Sequence, residues 1–246
     1  MSSGESGELN SGVTLSAILR QTKRRYKAVG GETMKTPGIV AILSVVLLSF
    51  ACNKGLKNAG TELPSAQVTE YKGEKLGSIE DFRENSIKGP QQIDVAGYKL
   101  DVWGLADTPR SYTYEEVLAH PKYSKVVVLN CVEGWSVKVL WEGVLVDDLL
   151  KEAGVKPLAN TVIFHAADGY TTSLPLSYIR DRQIIMAYMM NGVTLPPARG
   201  FPLELVAEDK LGYKWIRWIT GIELSNDPSY KGFWESRGYD NDADVK

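Results

Sequence analysis

Residues 128–136 read VLNCVEGWS, and this stretch places a single thiol at the end of a predicted core strand. Residues 126–129 form a run of apolar, mostly β-branched side chains, which is typical of a buried strand. The run stops at Asn130, and Cys131 opens a loop that contains an acid, a glycine and a tryptophan. The pattern therefore predicts one thiol presented by a loop that a buried strand supports.

Three roles for Cys131 are compatible with the residues alone. A free cysteine is often an inert, buried side chain that packs as a small hydrophobe. A cysteine nucleophile needs a base, and His165 is the candidate that the sequence offers. A thiolate also suits a soft or redox-active metal ion. The residue pattern leaves these three alternatives open.

Short strands are predicted along most of the chain. Beyond residues 126–129, strands are predicted at residues 161–164, 184–188, 203–206, 215–219 and 222–224, and within 91–102 around a turn at Gly97. The Asn191-Gly192 pair marks a tight turn after the strand at 184–188.

Few helices accompany these strands. One short helix is predicted at residues 114–119, with Ser111 or Thr113 as its cap, and another at 146–153, ending before Gly154. Strands and helices do not alternate regularly, so a doubly wound parallel sheet is disfavoured. The sequence predicts a mixed α+β domain built mostly from short strands.

Composition and motifs exclude several classes of function. The formal net charge of the 246-residue chain is -2, which does not favour nucleic-acid binding. The two cysteines and two histidines do not have the spacing of a structural zinc site. Neither of the common glycine-rich nucleotide motifs is present.

The amino-terminal part of the chain predicts export. Residues 34–52 contain Lys35, an apolar stretch and the ending SFAC, which is the order found in a signal peptide. The ending resembles a bacterial lipobox, although Ser49 stands where leucine is usual. Cys52 is then predicted to become the lipidated first residue of the mature protein. An uncleaved anchor, or cleavage elsewhere, is the alternative.

The remaining segments are assigned by composition. Residues 1–33 are either a mis-called extension before a natural start at Met34, or an export region containing the arginine pair at 24–25. Residues 53–77 have few large apolar side chains and are predicted to be a tether. Residues 78–246 are predicted to be the folded domain.

From about Asp81 onward the chain resembles the molybdopterin domain of the sulfite oxidase family. The resemblance is carried by NCVEGWS, VLVDDLLKEAGV, AYMMNGVTLPPARGFPLELV and LGYKWIRWI followed by Gly221-Ile222, in this order. It implies a mononuclear molybdenum bound to one molybdopterin. It also implies that Cys131 supplies a thiolate to the molybdenum.

The resemblance implies further site residues by position. Cofactor contacts are implied for Asn85, Lys88, Gly89, Ala166, Arg199, Trp215, Ile216 and Arg217. Arginines suit the pterin phosphate, although ordinary surface charge is the alternative. Ala166 stands where the family uses a polar contact, so only its backbone would serve. Tyr239 occupies a substrate-side position and, with Cys131, is predicted to be catalytic; simple aromatic packing is its alternative.

Departures from the family pattern bear on the substrate. Sulfite oxidases carry arginines just after the cysteine, whereas this chain has Glu133 and Trp135, which are predicted to line the substrate site. Glu204 also replaces a family arginine. These acids disfavour a doubly negative substrate such as sulfite. The loop resembles instead that of the periplasmic methionine sulfoxide reductase type.

The resulting prediction is an exported molybdenum oxidoreductase that transfers an oxygen atom. The expected small-molecule substrate is a sulfoxide or a related S- or N-oxide, reduced with electrons from a membrane cytochrome or quinol-linked partner. The expected location is the bacterial cell envelope, facing the periplasm or exterior, with a lipid anchor and no nucleic-acid partner. A sulfite-type oxidase and a non-catalytic binding lipoprotein are the alternatives.

Overall fold

A computed structural model describes residues 66–246 of the chain. The predictions for residues 1–33, for the signal peptide at 34–52 with its lipidated Cys52, and for residues 53–65 lie outside the described residues. Among residues 66–246, the helices are all too short or too polar to cross a bilayer.

The described residues form short strands and three short helices. The strands are β1 (Glu70–Tyr71), β2 (Glu74–Lys75), β3 (Leu100–Gly104), β4 (Arg110–Tyr112), β5 (Tyr123–Asn130), β6 (Ser136–Leu145), β7 (Thr161–Ala166), β8 (Thr171–Pro175), β9 (Ile185–Met190), β10 (Val193–Thr194), β11 (Glu204–Leu205) and β12 (Ile219–Ser225). The helices are α1 (Tyr114–Leu118), α2 (Val146–Ala153) and α3 (Leu176–Asp181).

The longer strands form two sheets. One has the order β10-β9-β6-β5, with β11 paired to β9, and all its pairs are antiparallel. The other has the order β4-β3-β12-β7-β8, in which β3 and β12 run parallel and the other neighbours run antiparallel. The prediction of a mixed α+β domain is confirmed.

Helix α2 joins the packing of the two sheets. It contacts β6 of the first sheet and β3 of the second. Its buried face consists of Val146, Leu149, Leu150 and Ala153, spaced as one side of a helix requires. Burial of such aliphatic side chains contributes roughly 1.5–3 kcal/mol each, so this helix is a principal core element.

Several predicted elements are confirmed. The strands predicted at 126–129 and 161–164 lie within β5 and β7, and most of 184–188 lies within β9. Helix α2 spans residues 146–153 as predicted. Gly154 follows it with φ +70°, a conformation that glycine adopts readily.

Local side-chain chemistry fixes two connections. Thr113, and not Ser111, caps α1: its hydroxyl accepts a hydrogen bond from the Glu116 N–H at 3.1 Å. Asn191 and Gly192 have φ +49° and +76° and join β9 to β10 in a tight hairpin.

The strand predicted at residues 215–219 is wrong. A turn of 3-10 helix occupies Gly212–Lys214, and the extended strand begins only at β12. Trp218 has φ +56°, a left-handed conformation that an extended strand cannot include. The apolar and β-branched residues here are therefore buried without being a strand.

The strands predicted around Gly97 are only half correct. β3 begins at Leu100, whereas residues 91–99 form no strand. The Gly97 N–H donates to the Asp94 carbonyl at 3.3 Å, which closes a turn, and Pro90 has no N–H to donate to a sheet.

The folded part begins earlier than predicted. The second half of the predicted 53–77 tether forms the β1–β2 hairpin. The Val68 N–H donates to the Asn191 carbonyl at 2.9 Å, and the Gly77 N–H donates to the Lys138 carbonyl at 2.7 Å. Backbone hydrogen bonds, rather than apolar burial, attach this polar segment, which is why composition did not identify it.

Candidate functional site

Cys131 lies in a tight loop between two paired strands. β5 ends at Asn130, which pairs with Ser136 at the start of β6. The Cys131 N–H donates to the Trp135 carbonyl at 2.9 Å, and the Gly134 N–H donates to the Cys131 carbonyl at 3.1 Å. Gly134 has φ +83°, so the loop uses the conformational freedom of glycine. The thiol position is therefore fixed by backbone hydrogen bonds.

The environment of Cys131 keeps its thiol protonated. Burial raises the pKa of the Cys131 thiol, and the negative charge of Glu133 raises it further. The Asn85 Nδ2 donates to the sulfur at 3.5 Å, which favours the thiolate only weakly. A raised pKa is the opposite of what a cysteine nucleophile requires.

The base proposed for a nucleophilic Cys131 is also engaged elsewhere. The His165 Nε2 lies 3.0 Å from a Glu223 carboxylate oxygen, and the Trp103 ring packs 5.0 Å from the imidazole. His165 does not line the cavity that contains Cys131. The geometry therefore disfavours the nucleophile alternative and leaves a metal ligand or an inert thiol.

A cavity of about 180 Å³ opens beside Cys131. Seven of the predicted site residues line it: Asn85, Cys131, Glu133, Trp215, Ile216, Arg217 and Tyr239. They come from four separate parts of the chain, and the fold brings them together.

A smaller neighbouring cavity of about 40 Å³ shares several of these residues. It is lined by Asn85, Cys131, Trp135, Arg199, Trp215 and Arg217, among others. Arg199 lines this smaller cavity and not the larger one. The two cavities together contain both predicted arginines.

The two arginines converge on one carboxylate. The Glu84 Oε2 accepts from Arg199 Nη2 at 3.1 Å and from Arg217 Nη1 at 2.8 Å. Arg217 Nη2 also donates to Asn85 Oδ1 at 3.2 Å. Gly200 leaves room for this arrangement, because a Cβ there would lie 3.0 Å from Arg217 Cγ. Neither arginine is an isolated surface charge.

Glu204 lies beside this cluster as a buried acid. Its residue exposure is 3%, and its Oε2 has no hydrogen-bond partner in the described residues. Burial raises the pKa of Glu204 to about 8, although Arg199 and Arg217 oppose the shift. The side chain is therefore mostly neutral at pH 7.

Trp135 lines the smaller cavity and not the larger one, so its substrate role stays a prediction. Its ring packs edge-on against Phe82 at 6.0 Å, and its Nε1 donates to Glu133 at 3.0 Å. The indole thus forms a wall of the smaller cavity and orients the Glu133 carboxylate. The loop around Cys131 turns Trp135 towards the core because an apolar ring is more stable there.

Three predicted cofactor contacts lie outside both cavities. Lys88 and Gly89 do not line either one, although the Lys88 ammonium lies 3.4 Å from the position of a Cβ on Gly169. The Ala166 N–H donates to the Tyr170 carbonyl, and its carbonyl accepts from the Gly169 N–H, both at 3.0 Å. Only the second lone pair of that carbonyl remains for the predicted backbone contact.

Further residues line the larger cavity that sequence reasoning did not identify. They include Ser86, Asp168, Tyr170, Tyr213, Trp218 and Trp234. Asp168 lies two residues after the predicted Ala166, and Trp234 lies in the same aromatic tail as Tyr239, so proximity in sequence was the available signal. The Tyr170 hydroxyl donates to the Tyr213 carbonyl at 2.6 Å, a contact that no local sequence pattern predicts.

The tail that carries Tyr239 is anchored by a buried ion pair. The Lys214 Nζ lies 2.6 Å from Glu235 Oε1, and both side chains are fully buried. The Tyr239 ring packs against Tyr213 at 5.2 Å and against Trp234 at 5.1 Å, while 40% of the residue remains exposed. Tyr239 therefore stands at the open edge of the cavity.

The side chains around the two cavities fit an anionic cofactor. Because the chain offers one sulfur ligand, the cofactor itself has to supply the other ligands of its metal. Two guanidinium groups, the Asn85 amide and the buried, unpartnered Ser86 hydroxyl supply hydrogen-bond donors, and Cys131 supplies one soft donor. Residues 66–246 contain no group of three or more histidine, cysteine or carboxylate side chains arranged to hold a metal ion.

Comparison with known proteins identifies the family. Residues 87–234 match the family described as "Oxidoreductase molybdopterin binding domain". The uncharacterized oxidoreductase YuiH of Bacillus subtilis is 38% identical over 61% of this chain and 76% of its own length. The putative protein-methionine-sulfoxide reductase subunit YedZ1 of Azospira oryzae is 35% identical over 61% of this chain. That match covers 56% of the Azospira protein, so this chain spans only about half of it.

A solved structure agrees on the fold. The sulfane dehydrogenase SoxCD of Paracoccus pantotrophus superposes with a TM-score of 0.54 at 23% identity, over 56% of this chain and 41% of that chain. At this identity the likeness concerns the fold alone. The family match over residues 87–234 establishes that the chain belongs to the molybdopterin-binding oxidoreductases of the sulfite oxidase family, whose cofactor is molybdenum-molybdopterin.

Proposed function

We propose that this protein is an exported, lipid-anchored oxidoreductase that reduces a sulfoxide or a related S- or N-oxide. The charge of the larger cavity carries the proposal. Glu133, two residues after Cys131, and Asp168 both line it. These two carboxylates disfavour a dianion such as sulfite more than a neutral, polar oxygen donor.

The names of relatives support the same direction. The Azospira relative is named a putative protein-methionine-sulfoxide reductase subunit. The MsrP catalytic subunit of Gluconobacter oxydans is 30% identical over 52% of this chain and 46% of its own length. Both names refer to sulfoxide reduction, which the acidic loop after Cys131 also favours.

Each chain residue has a distinct part in this proposal. The bound cofactor supplies the two-electron exchange of an oxygen atom. Cys131 holds the metal through its sulfur, and the Asn85 amide orients that sulfur from 3.5 Å. The Tyr239 phenol, at the edge of the cavity, donates a hydrogen bond to the substrate oxygen and assists its protonation. Reduction of a sulfoxide to a sulfide and water consumes two protons and two electrons.

The electrons come, in this proposal, from a membrane cytochrome or a quinol-linked partner. Lipid attached to Cys52 would keep the domain near that membrane and raise its effective concentration there. Fatty-acid labelling tests this part by itself. Cys52→Ser should abolish incorporation of a labelled fatty acid into the protein, and labelling that persists would contradict lipid attachment at Cys52.

A substrate panel tests the reaction. The full chain, produced in a molybdenum-replete host that makes molybdopterin, should contain both molybdenum and pterin. Reduced viologen should be oxidised when methionine sulfoxide, dimethyl sulfoxide or trimethylamine N-oxide is added. Sulfite oxidation without any S- or N-oxide reduction would establish the sulfite-type alternative. Protein without molybdenum and pterin would support the binding-lipoprotein alternative.

A further inference from the structure

Glu84 is the sole carboxylate that bonds both cavity arginines within residues 66–246. Its Oε2 accepts from Arg199 at 3.1 Å and from Arg217 at 2.8 Å. Its Oε1 accepts from the Ser86 N–H at 2.7 Å. The carboxylate thus uses both oxygens and sits at the point where the two guanidinium groups converge.

Two positive charges this poorly exposed require a negative charge beside them. The Arg199 and Arg217 side chains are only 9% and 12% exposed, so water screens their charges poorly. Burial lowers the pKa of Arg199, and the positive charge of Arg217 adds to this, whereas Glu204 and Glu84 oppose the shift. Glu204 lies beside them but is mostly neutral at pH 7, since burial raises its pKa to about 8. Among residues 66–246, Glu84 is the carboxylate that hydrogen-bonds both members of the pair.

A phosphate that bound the guanidinium N–H groups now bonded to Glu84 would compete with Glu84 for them. Two anions that accept from the same guanidinium groups would lie within a few ångströms of each other and repel strongly. A phosphate monoester offers three acceptor oxygens and a larger charge, so it would satisfy both arginines and Asn85 better than one carboxylate does. At these N–H groups, binding of one anion displaces the other.

Glu84 is better placed to move away than the two arginines are. It lies between the turn at Ile79–Asp81 and strand β3, in a stretch with no helix or strand to hold it. Its side chain is 33% exposed, so the carboxylate has a path to solvent. The arginines are less exposed, and further contacts hold them. Arg217 also donates to the Ala198 carbonyl at 3.1 Å, and its guanidinium packs 4.8 Å from the Trp218 ring.

We propose that Glu84 is an internal ligand of the Arg199–Arg217 pair. It holds the place of a phosphate-class anion in the cofactor-free protein and gives way when the anionic end of the cofactor binds. The inference rests on the family's cofactor and on the arginine geometry, and it does not depend on which substrate the enzyme reduces.

Phosphate binding to the cofactor-free protein tests this competition. The full chain is purified from a host that cannot make molybdopterin, and inorganic phosphate is titrated calorimetrically at constant ionic strength. Glu84→Gln removes the competing charge, so phosphate should bind this variant about tenfold more tightly than wild type, which corresponds to ~1.4 kcal/mol. Adding Arg217→Gln to Glu84→Gln should abolish the gain.

Glu80→Gln is the matched control. Glu80 lies four residues earlier, carries the same charge and makes no contact with the arginines, so its removal should leave phosphate affinity at the wild-type value. Phosphate affinity that is unchanged or weaker in Glu84→Gln would overturn the proposal. So would an equal gain in Glu80→Gln, because it would reveal a general charge effect.

Thermal unfolding of the two forms gives an independent readout. Glu84→Gln should lower the Tm of the cofactor-free protein, whose arginines lose their anion, and should leave the Tm and molybdenum content of the loaded protein unchanged. Loss of molybdenum in Glu84→Gln would show that Glu84 belongs to the loaded site, which contradicts displacement. Neither measurement uses a sulfoxide, so the result stands apart from the proposed reaction.

Discussion

Cys131 is fixed in place but is not reactive by itself. Two backbone hydrogen bonds close its loop, only 8% of the residue is exposed, and burial raises the pKa of its thiol. A thiol in this condition loses its proton when a metal ion binds and not before. At the residue scale, the protein therefore holds a soft sulfur ligand in a fixed position, and the bound cofactor supplies the reactivity.

Replacing that sulfur tests the ligand role directly. Cys131→Ser should abolish molybdenum retention and turnover, because a hydroxyl is a poor ligand where a thiolate is required. The cost to the free energy of unfolding should be only about 1 kcal/mol, since the change is nearly isosteric. Elemental analysis and urea unfolding measure the two effects. Full molybdenum content in the variant would refute the assignment.

Glu204 predicts a specific pH dependence of stability. Its pKa is raised by burial from the ordinary 4.5 to about 8, so the folded protein binds a proton that the unfolded chain releases. This stabilisation is fully present below about pH 4.5 and is lost as the pH rises towards 8. Glu204→Gln cannot lose a proton there, and its Tm relative to wild type should rise between pH 5 and 8.

The measurement is thermal unfolding of cofactor-free protein at several pH values. Glu80→Gln serves as the control, because this exposed carboxylate should leave the pH dependence unchanged. A constant Tm difference between Glu204→Gln and wild type across this range would mean that Glu204 is ionised in the folded protein.

At the element scale, the β5–β6 hairpin loop determines where the sulfur lies. Gly134 has φ +83°, and a Cβ there would meet no neighbouring atom within 4 Å. Gly134→Ala should therefore cost about 1–2 kcal/mol from backbone strain alone. The strain acts in the hydrogen-bonded loop that holds Cys131, so molybdenum content should fall as well.

Gly97→Ala is the matched control for that loop. A Cβ at Gly97 also meets open space, but its φ is not positive, so the substitution introduces no comparable strain. Urea unfolding and elemental analysis of both variants separate strain from a general effect of alanine. Equal results for the two variants would show that the Gly134 conformation does not matter.

Elements with a local cause are the ones that the sequence predicts. The β-branched run of β5, the spacing of α2 and the Asn191-Gly192 turn each follow from adjacent residues. The irregular path through Trp218 does not, since tertiary packing imposes its left-handed conformation. Hydropathy alone made that buried stretch look like a strand.

The site residues also divide into those that the sequence identifies and those that only the folded chain brings together. Cys131 and Tyr239 were identified by family resemblance at single positions, and both line the larger cavity. Glu84 was not identified, because its partners Arg199 and Arg217 lie 115 and 133 residues away in sequence. No local pattern encodes a contact at that separation, whereas the folded chain makes it directly.

At the scale of the whole molecule, the C-terminal tail completes the cavity. The Phe233 N–H donates to the Thr171 carbonyl of β8 at 2.9 Å, and the Thr172 hydroxyl donates to Glu235 at 2.7 Å. Lys214 reaches the same carboxylate from the segment before β12 and also donates to the Ser173 carbonyl at 3.1 Å. The buried ion pair therefore joins the tail to the sheet and to the cavity wall.

Breaking one side of that ion pair should destabilise the protein strongly. Lys214→Met leaves the Glu235 carboxylate buried without its cation, and such losses typically cost about 3–5 kcal/mol. The double variant Lys214→Met with Glu235→Gln removes the stranded charge and should recover part of this loss. Urea unfolding of the cofactor-free protein gives the free energy of unfolding for each variant.

Limited proteolysis distinguishes loss of the tail from general destabilisation. Trypsin should cleave Lys214→Met faster after Lys231 and Arg237, both in the tail, than after Lys125 within β5. Tyr239 lies beyond these sites. A released tail should therefore also raise the KM for a sulfoxide, by a larger factor than the factor by which molybdenum content falls. Uniform acceleration at all three sites would mean that the ion pair stabilises the whole fold rather than the tail. The reason is that a local opening of the tail exposes its own cleavage sites without unfolding the sheet that contains Lys125.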